Sequence, residues 1–572
     1  MGAWRIEERL LCAFGLLKEA PVRFESCAAL RFGGVMLLLP FLFECGLLSY
    51  RHCYSERSSG YYSFDNLFIL IAFLYLHRIK SFEQTKHYSP CEFGRLIGYD
   101  RIPEVKTLRS MIREITEQNH TDEWTASLSK IWIDEEKPEL YYIDGHVQVY
   151  HGYLANLGKK HVSRQRLCLP GMMEFWVNAS DGSPYFFVTA EINEKMGEIL
   201  VNEIIPELLN LHPVSDERKQ LMKENPDEPL FTLVFDREAY SPSLFAELWN
   251  TYRIAIITYR KNVKDSWKEE EFTDYEVVTS LGETKMKLHE QEFCHEKCTM
   301  REVRKLSNDG HQTAIVTTNK ILSIIKIASC MFARWAQENF FRYMRQEYAL
   351  DKIIQYSIDE IYNDIKIVNP EYNNIMYRIK KEKEKLNRRK AKLYELEQKN
   401  LFEENEKEIE NKKWMKAGLE LIEEIQSIEQ QIENKRKQRK EIPYKIPIRQ
   451  MPESTRYNRL NKESKALQNV IKMICYRAET ALARLLYPHY KRANQEIRAL
   501  IKSIINTDIN MEVDNKNEVL KITLFPLSNK RSNEAVSKIC DTVNDTNTIY
   551  PGTNLRLFFK IATVELVSGQ EF

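Results

Sequence analysis

The sequence predicts a mixed α/β sheet flanked by helices, with a helical N-terminal region, a β-rich insertion and a charged helical hairpin. Three observations carry this. Between about 130 and 260, "LYYID", "MMEFWVNA", "YFFVTAEI", "LFTLVFD" and "IAIITY" are apolar runs rich in β-branched and aromatic residues. The first three are separated by turns; afterwards strands alternate with helical stretches such as "MGEILVNEIIPELLNL", as in a mixed sheet. Residues 371 to 441 are dense in Lys and Glu with apolar residues at heptad spacing.

Residues 1–118 read as helical. The run "GGVMLLLPFLFECGLL" is interrupted by Pro40 and Glu44. Between Arg31 and Glu44 it falls short of the roughly 20 residues that span a bilayer, so it is expected to be a buried helix and no membrane partner is expected. In "SPCEFGRLIG" Ser89 is an N-cap, Pro90 the first helical residue, Glu92 the reaching-back partner of a capping box and Gly98 the stop. Pro103 then opens "PEVKTLRSMIREI". There Val105, Leu108, Ile112 and Ile115 form an apolar stripe, and Lys106, Arg109 and Arg113 a basic one. Two short helices around a turn fit a helix-turn-helix on DNA; a solvated basic face is the other reading.

Residues 119–261 carry the first part of the sheet, and 262–314 the polar β-rich insertion, with "FCHEKC" inside it. Cys294 and Cys298 lack a second cysteine pair, so ordinary thiols are expected rather than zinc ligands. Residues 315–368 return to the core with a long helix pattern. In 369–441, Ile379, Leu386 and Leu393 repeat by seven, with Ile375 and Leu396 beside them. After a Glu-rich break, Leu421, Ile425, Ile428 and Ile432 alternate by four and three. Both a folded-back hairpin and an intermolecular coil fit, and the break favours the hairpin. Residues 442–572 hold helices and late strands.

The formal net charge is only +1, so any basic surface must be local. Eleven cysteines without paired spacing, and no secretory signal at the start, lead to the expectation of a reducing cytoplasm.

The candidate chemistry lies in carboxylates. Asp144 ends one apolar run and Asp236 another, and strand ends are where an α/β sheet handles ligands. Two acids at one edge need a cation between them, and hard oxygen ligands suit Mg²⁺ or Mn²⁺. Glu338, three residues after Trp335 and seven after Met331, falls on an inward-facing row of its helix, with Arg334 one turn before it. His146 shares a strand face with Asp144 and is either a phosphate contact or a structural histidine.

This order resembles the DDE transposases of bacterial insertion sequences, whose catalytic core is RNase H-like. In one large group the last helix reads Tyr, two residues, Arg, three residues, Glu, six residues, Lys. Here Arg334 and Glu338 match in register, Met331 stands at the Tyr position and Arg345 at the Lys position. "AIVTTN", "DREAYS" and "RIKSFEQTKHYSPCEFGRLIGYDRIPEVKTLR" also look like this group, and the resemblance covers roughly residues 30 to 350. It implies an RNase H-like core in which Asp144, Asp236 and Glu338 hold two Mg²⁺ or Mn²⁺ ions and transfer phosphoryl groups on double-stranded DNA. The implied reaction cuts at terminal inverted repeats and joins the 3′ ends to target DNA. A dimer or higher oligomer on DNA is implied with it, and Arg334, Arg345 and His146 are candidate DNA contacts. Two rivals remain: a nuclease of the same fold that cuts without strand transfer, and a catalytically inactive DNA-binding coiled-coil protein.

Overall fold

The computed structural model describes residues 5–57, 60–152, 155, 157–162, 165–192, 194–279, 282–295, 298–332, 335–352, 358–359, 366–402, 408–447, 450, 459–460, 462–490 and 494–562. It divides into two compact units. The first comprises Met1–His151, Lys159–Tyr356 and Asn461–Phe572, and the second Gly152–Gly158 with Ser357–Leu460.

In the first unit, helical turns run over Gly33–His52, long and apolar enough by length and composition to cross a membrane. The helical stretch is longer than the Arg31 to Glu44 run expected: Pro40 lies at the start of a helix that ends at Glu44, where it breaks no hydrogen bond, and after a turn at Gly46 a further helical turn covers Ser49–His52. Val35 to Leu39 are fully buried in the protein core, as is nearly all of Phe64–Leu76. The N-terminal region also holds a strand, Cys27–Leu30, which pairs antiparallel with Ile509–Asp514.

Helix α1, Pro90–Leu96, begins as expected: the Ser89 hydroxyl accepts from the Glu92 amide at 3.5 Å. Gly98 follows at φ +72°, where a side chain would be strained and would press on Val22. Helix α2, Val105–Thr116, starts two residues later than Pro103, because the chain stays extended through Glu104. It buries Leu108, Met111, Ile112 and Ile115 and turns Lys106 and Arg113 outward.

The large sheet contains β1 (Leu140–Val149), β2 (Lys159–Val162), β3 (Leu167–Asn178), β4 (Pro184–Glu191), β5 (Phe231–Phe235) and β6 (Ile254–Tyr259). It continues with β7 (Thr273–Thr279), β8 (Gly282–His295), β9 (Cys298–Leu306) and β10 (Gln312–Thr317). Their order is β2-β3-β1-β5-β6-β10-β9-β8-β7, with β4 also on β3. β1 runs antiparallel to β3 and parallel to β5, and β5 parallel to β6. The β-rich insertion thus extends the main sheet through β10.

Helices α3 (Ile324–Phe332) and α4 (Trp335–Tyr348) follow. On α3, Cys330 and Met331 pack on Tyr142, Val234 and Ile257. Ala328 packs on Val277, Met286 and Leu288 of the extension.

In the second unit, α5 (Pro370–Phe402) and α6 (Glu408–Glu441) pack antiparallel. Ile379, Ile428 and Ile432 meet between them, with Ile375 and Leu386 alongside. Arg389–Glu424, Lys390–Glu429 and Lys435–Glu382 pair across the outside.

The chain re-enters the first unit as α7, Glu463–Tyr490. Its row Lys465, Asn469, Lys472 and Glu479 is buried throughout. Asn469 donates to Glu174 on β3 at 2.8 Å, and Lys465 donates to the Leu350 carbonyl. Burial pushes the Lys465 and Lys472 ammoniums down from their ordinary range.

Candidate functional site

The register of β1 and β5 brings the two aspartates to one edge. Ile143 pairs with Phe235, the last residue of β5, and the next residue on each strand is Asp144 and Asp236. Neighbouring strands lie about 4.8 Å apart. Three buried residues precede each acid, Tyr141 to Ile143 and Leu233 to Phe235, so each carboxylate stands on a rigid apolar mount. Asp236 leaves the sheet at once, and its Oδ1 accepts from the Arg237 amide at 2.7 Å. Asp144 behaves differently from the expectation. Its strand does not end there but runs on beside β3 to Val149; what ends is its parallel neighbour β5. Asp144 Oδ1 accepts from the Gly145 amide at 2.9 Å, and both aspartates are half-buried.

Tyr142, Asp144 and His146 share one face of β1, because side chains alternate along a strand. Cys330 and Met331 of α3 cover Tyr142, and Phe341 of α4 stacks on His146 at 5.2 Å and 18°. These two contacts bracket Asp144, so the helices pass beside it. Glu338 lies in α4, three residues before Phe341. Its side chain, that of Trp335 and all of Arg334 fall outside the described residues.

His146 is buried, and burial, with Arg345 and Lys465 nearby, pushes its pKa down to about 3. Among the described residues its Nε2 has no hydrogen-bond partner. The ring is therefore neutral at ordinary pH. Both readings of His146 stay open: a neutral ring can donate one hydrogen bond to a phosphate but brings it no positive charge.

In front of this face lies a cleft of about 490 Å³. Asp144, His146, Glu238, Lys160, Asn339, Arg342 and Arg345 are among its lining residues. Arg345 Nε donates to the Phe341 carbonyl at 3.1 Å, which holds the side chain along its own helix. Lys160 and Arg342 were not singled out in the sequence. Arg342 lies four residues after Glu338 and could have been found from helical spacing; Lys160 is brought in only by sheet pairing.

Behind α4 the charge is closed on itself. Arg78 donates to Glu479 at 2.6 Å and to the Tyr343 hydroxyl at 2.8 Å, and lies 2.9 Å from Glu347. Tyr343 and Arg498 also donate to Glu479, at 2.7 and 3.1 Å. Burial works against the Glu479 carboxylate, but Arg78 and Arg498 overcome it and hold its pKa below the usual range.

A second cleft of about 790 Å³ lies along α2, with Lys86, Arg101, Lys106, Arg109 and Arg113 among its lining residues. Lys106 and Arg113 are exposed, while Arg109 pairs with Glu83. The expected stripe is thus present as a surface, with one member partly neutralised.

Among the described residues no three His, Cys, Asp or Glu side chains are grouped to hold a metal ion. Asp144 and Asp236 supply two hard oxygen donors from neighbouring strands, a set that suits Mg²⁺ or Mn²⁺. Cys294 is exposed on the β8–β9 hairpin, and the side chain of Cys298 lies outside the described residues.

A family model described as "Transposase protein" matches residues 1–563. Among solved structures the chain is similar to the piggyBac transposase synaptic complex with hairpin DNA, determined by cryo-EM. Identity is 13%, covering 60% of this chain and 70% of that one, with a TM-score of 0.25. The search of curated proteins finds no match.

Proposed function

We propose, from the premise that this chain belongs to the transposase protein family, that it cuts and joins DNA by DDE-type chemistry at Asp144, Asp236 and Glu338. The observation that carries the reading is the register of β1 and β5, with Asp144 and Asp236 at the first positions past a shared pair. The strand order β4-β3-β1-β5-β6, its first three strands antiparallel and its last two parallel to β1, supports an RNase H-like core. The helix motif resembles that of the insertion-sequence enzymes, with Arg345 at its Lys position.

Asp144, Asp236 and Glu338 would hold a pair of Mg²⁺ or Mn²⁺ ions. When bound, these supply a nucleophile at neutral pH and stabilise the leaving 3′-oxygen. The protein's own part is placement. The buried strands fix the two aspartates, the Phe341–His146 stack sets the distance of α4 from β1, and Arg345 offers a positive charge to the phosphate. The basic cleft along α2 would bind the terminal inverted repeats, with two ends held by a dimer or higher oligomer.

The test is cleavage of element-end DNA by single variants. Asp144→Ala, Asp236→Ala and Glu338→Ala should each abolish cleavage and leave end binding nearly intact. Full activity in any one would remove that residue from the site. Joining of pre-cut ends with free 3′-hydroxyls separates a transposase from a nuclease of the same fold.

A further inference from the structure

The wall of the cleft facing Asp144 is built from cations that have no ion pair among the described residues. Several arginines elsewhere in this unit are matched: Arg301 to Glu290, Arg304 to Glu302 and Arg477 to Glu136. Arg342 is exposed and has no ion pair among the described residues. Lys160 is half-buried, and among the described residues its ammonium reaches only the Met173 sulfur, at 3.7 Å. A thioether is a weak acceptor, so most of the ammonium's donor capacity stays open.

The wall has a structural basis. β3 pairs with β1 as far as Gly171 and then, from Pro170 back to Leu167, with β2. At that crossover a Cβ on Gly171 would fall 2.0 Å from the Gln148 carbonyl oxygen, so only glycine allows the approach. The β2–β3 hairpin is thereby carried past the end of β1, and Lys160 with it.

We propose that Lys160 and Arg342 hold the phosphates flanking the scissile bond, making the β2–β3 hairpin and α4 the two sides of a path for a single DNA strand. The inference rests on the reading of this cleft as a DNA-cleaving site. A nucleic-acid strand fits because its charges repeat along the chain. One phosphate meets the carboxylates through their cations while its neighbours meet Lys160 and Arg342. A ligand with one anionic group would use the cations and leave the acids unmatched.

The test measures binding of a mixed-sequence single-stranded oligonucleotide of about 30 bases to the full chain, in Ca²⁺, across a range of NaCl. Lys160→Ala and Arg342→Ala should each reduce the slope of log K against log salt by about 0.7, the value for one phosphate on a single strand. Lys160→Arg should restore it, which a merely structural role for Lys160 would not require. Unchanged slopes in both alanine variants overturn the proposal. Asp144→Asn separates it from the underlying reading. Cleavage lost in Asp144→Asn with unchanged slopes in the alanine variants leaves the catalytic reading standing and removes the strand path. Cleavage retained in Asp144→Asn with reduced slopes removes the scissile bond from this cleft and leaves Lys160 and Arg342 as contacts to a DNA strand that is cut elsewhere.

Discussion

Helix α4 has two charged sides that do opposite things. On the rear, Tyr343 and Glu347 join Arg78, Glu479 and Arg498 in a cluster in which opposite charges are paired with one another, with Glu479 fully buried. On the front, Arg342 and Arg345 face a cleft shared with Asp144 and Lys160, and among the described residues neither arginine meets a carboxylate. Charges of the first kind hold elements together; those of the second kind are the ones the proposed function assigns to a ligand. A formal net charge of +1 conceals both.

The rear should break hardest. Glu479→Ala leaves two buried guanidiniums without their carboxylate, a loss of about 3–5 kcal/mol of stability. A large fall in the urea midpoint is expected, whereas Arg342→Ala on the front should leave the midpoint nearly unchanged. Equal effects would erase the distinction between the two sides.

Acid should act through the depressed groups. His146 is held at about 3 when folded against about 6.5 when unfolded. Its folded pKa is the lower one, so its contribution is fully present above about 6.5 and is lost as pH falls toward 3. His77, also buried and pushed down to about 4, adds in the same direction. Glu479 enters only below the ordinary carboxylate range, near 4.3. The urea midpoint should therefore decline between pH 7 and 5. His146→Phe, which keeps a ring against Phe341, should flatten that decline in part; an undiminished slope would mean that His146 is not held neutral.

The smallest effects belong to α2. Lys106→Ala and Arg113→Ala should each flatten the salt dependence of duplex binding by about 0.9 in log–log slope. Arg109→Ala should do less, because Glu83 already matches part of that charge. Three equal changes would show that the Glu83 pair opens on DNA.

What was legible in the sequence depended on range. Short-range patterns carried through: the apolar mounts of Asp144 and Asp236, the Ser89 cap, and the stripe of Leu108, Ile112 and Ile115. Links across hundreds of residues did not. Arg78 and Glu479 lie 401 positions apart, and nothing near either one announces the other. The row Lys465, Asn469, Lys472 and Glu479 has the spacing of a solvated helix face, yet it is buried because partners from the sheet and from Arg78 come to it. Asp144 was expected to end its strand because the apolar run stops there. The strand continues because β3, not hydrophobicity, supplies its pairing. Lys160 needed the β2–β3 pairing before it could be placed near an acid more than a dozen residues away.

The central claim is that the sheet-edge aspartates and the front of α4 enclose one metal-dependent site. The most direct measurement is anomalous diffraction from crystals of the full chain soaked in Mn²⁺. Peaks lying between the carboxylates of Asp144 and Asp236 and reached by Glu338 are predicted. Mn²⁺ bound elsewhere, with Glu338 turned to bulk solvent, would contradict it.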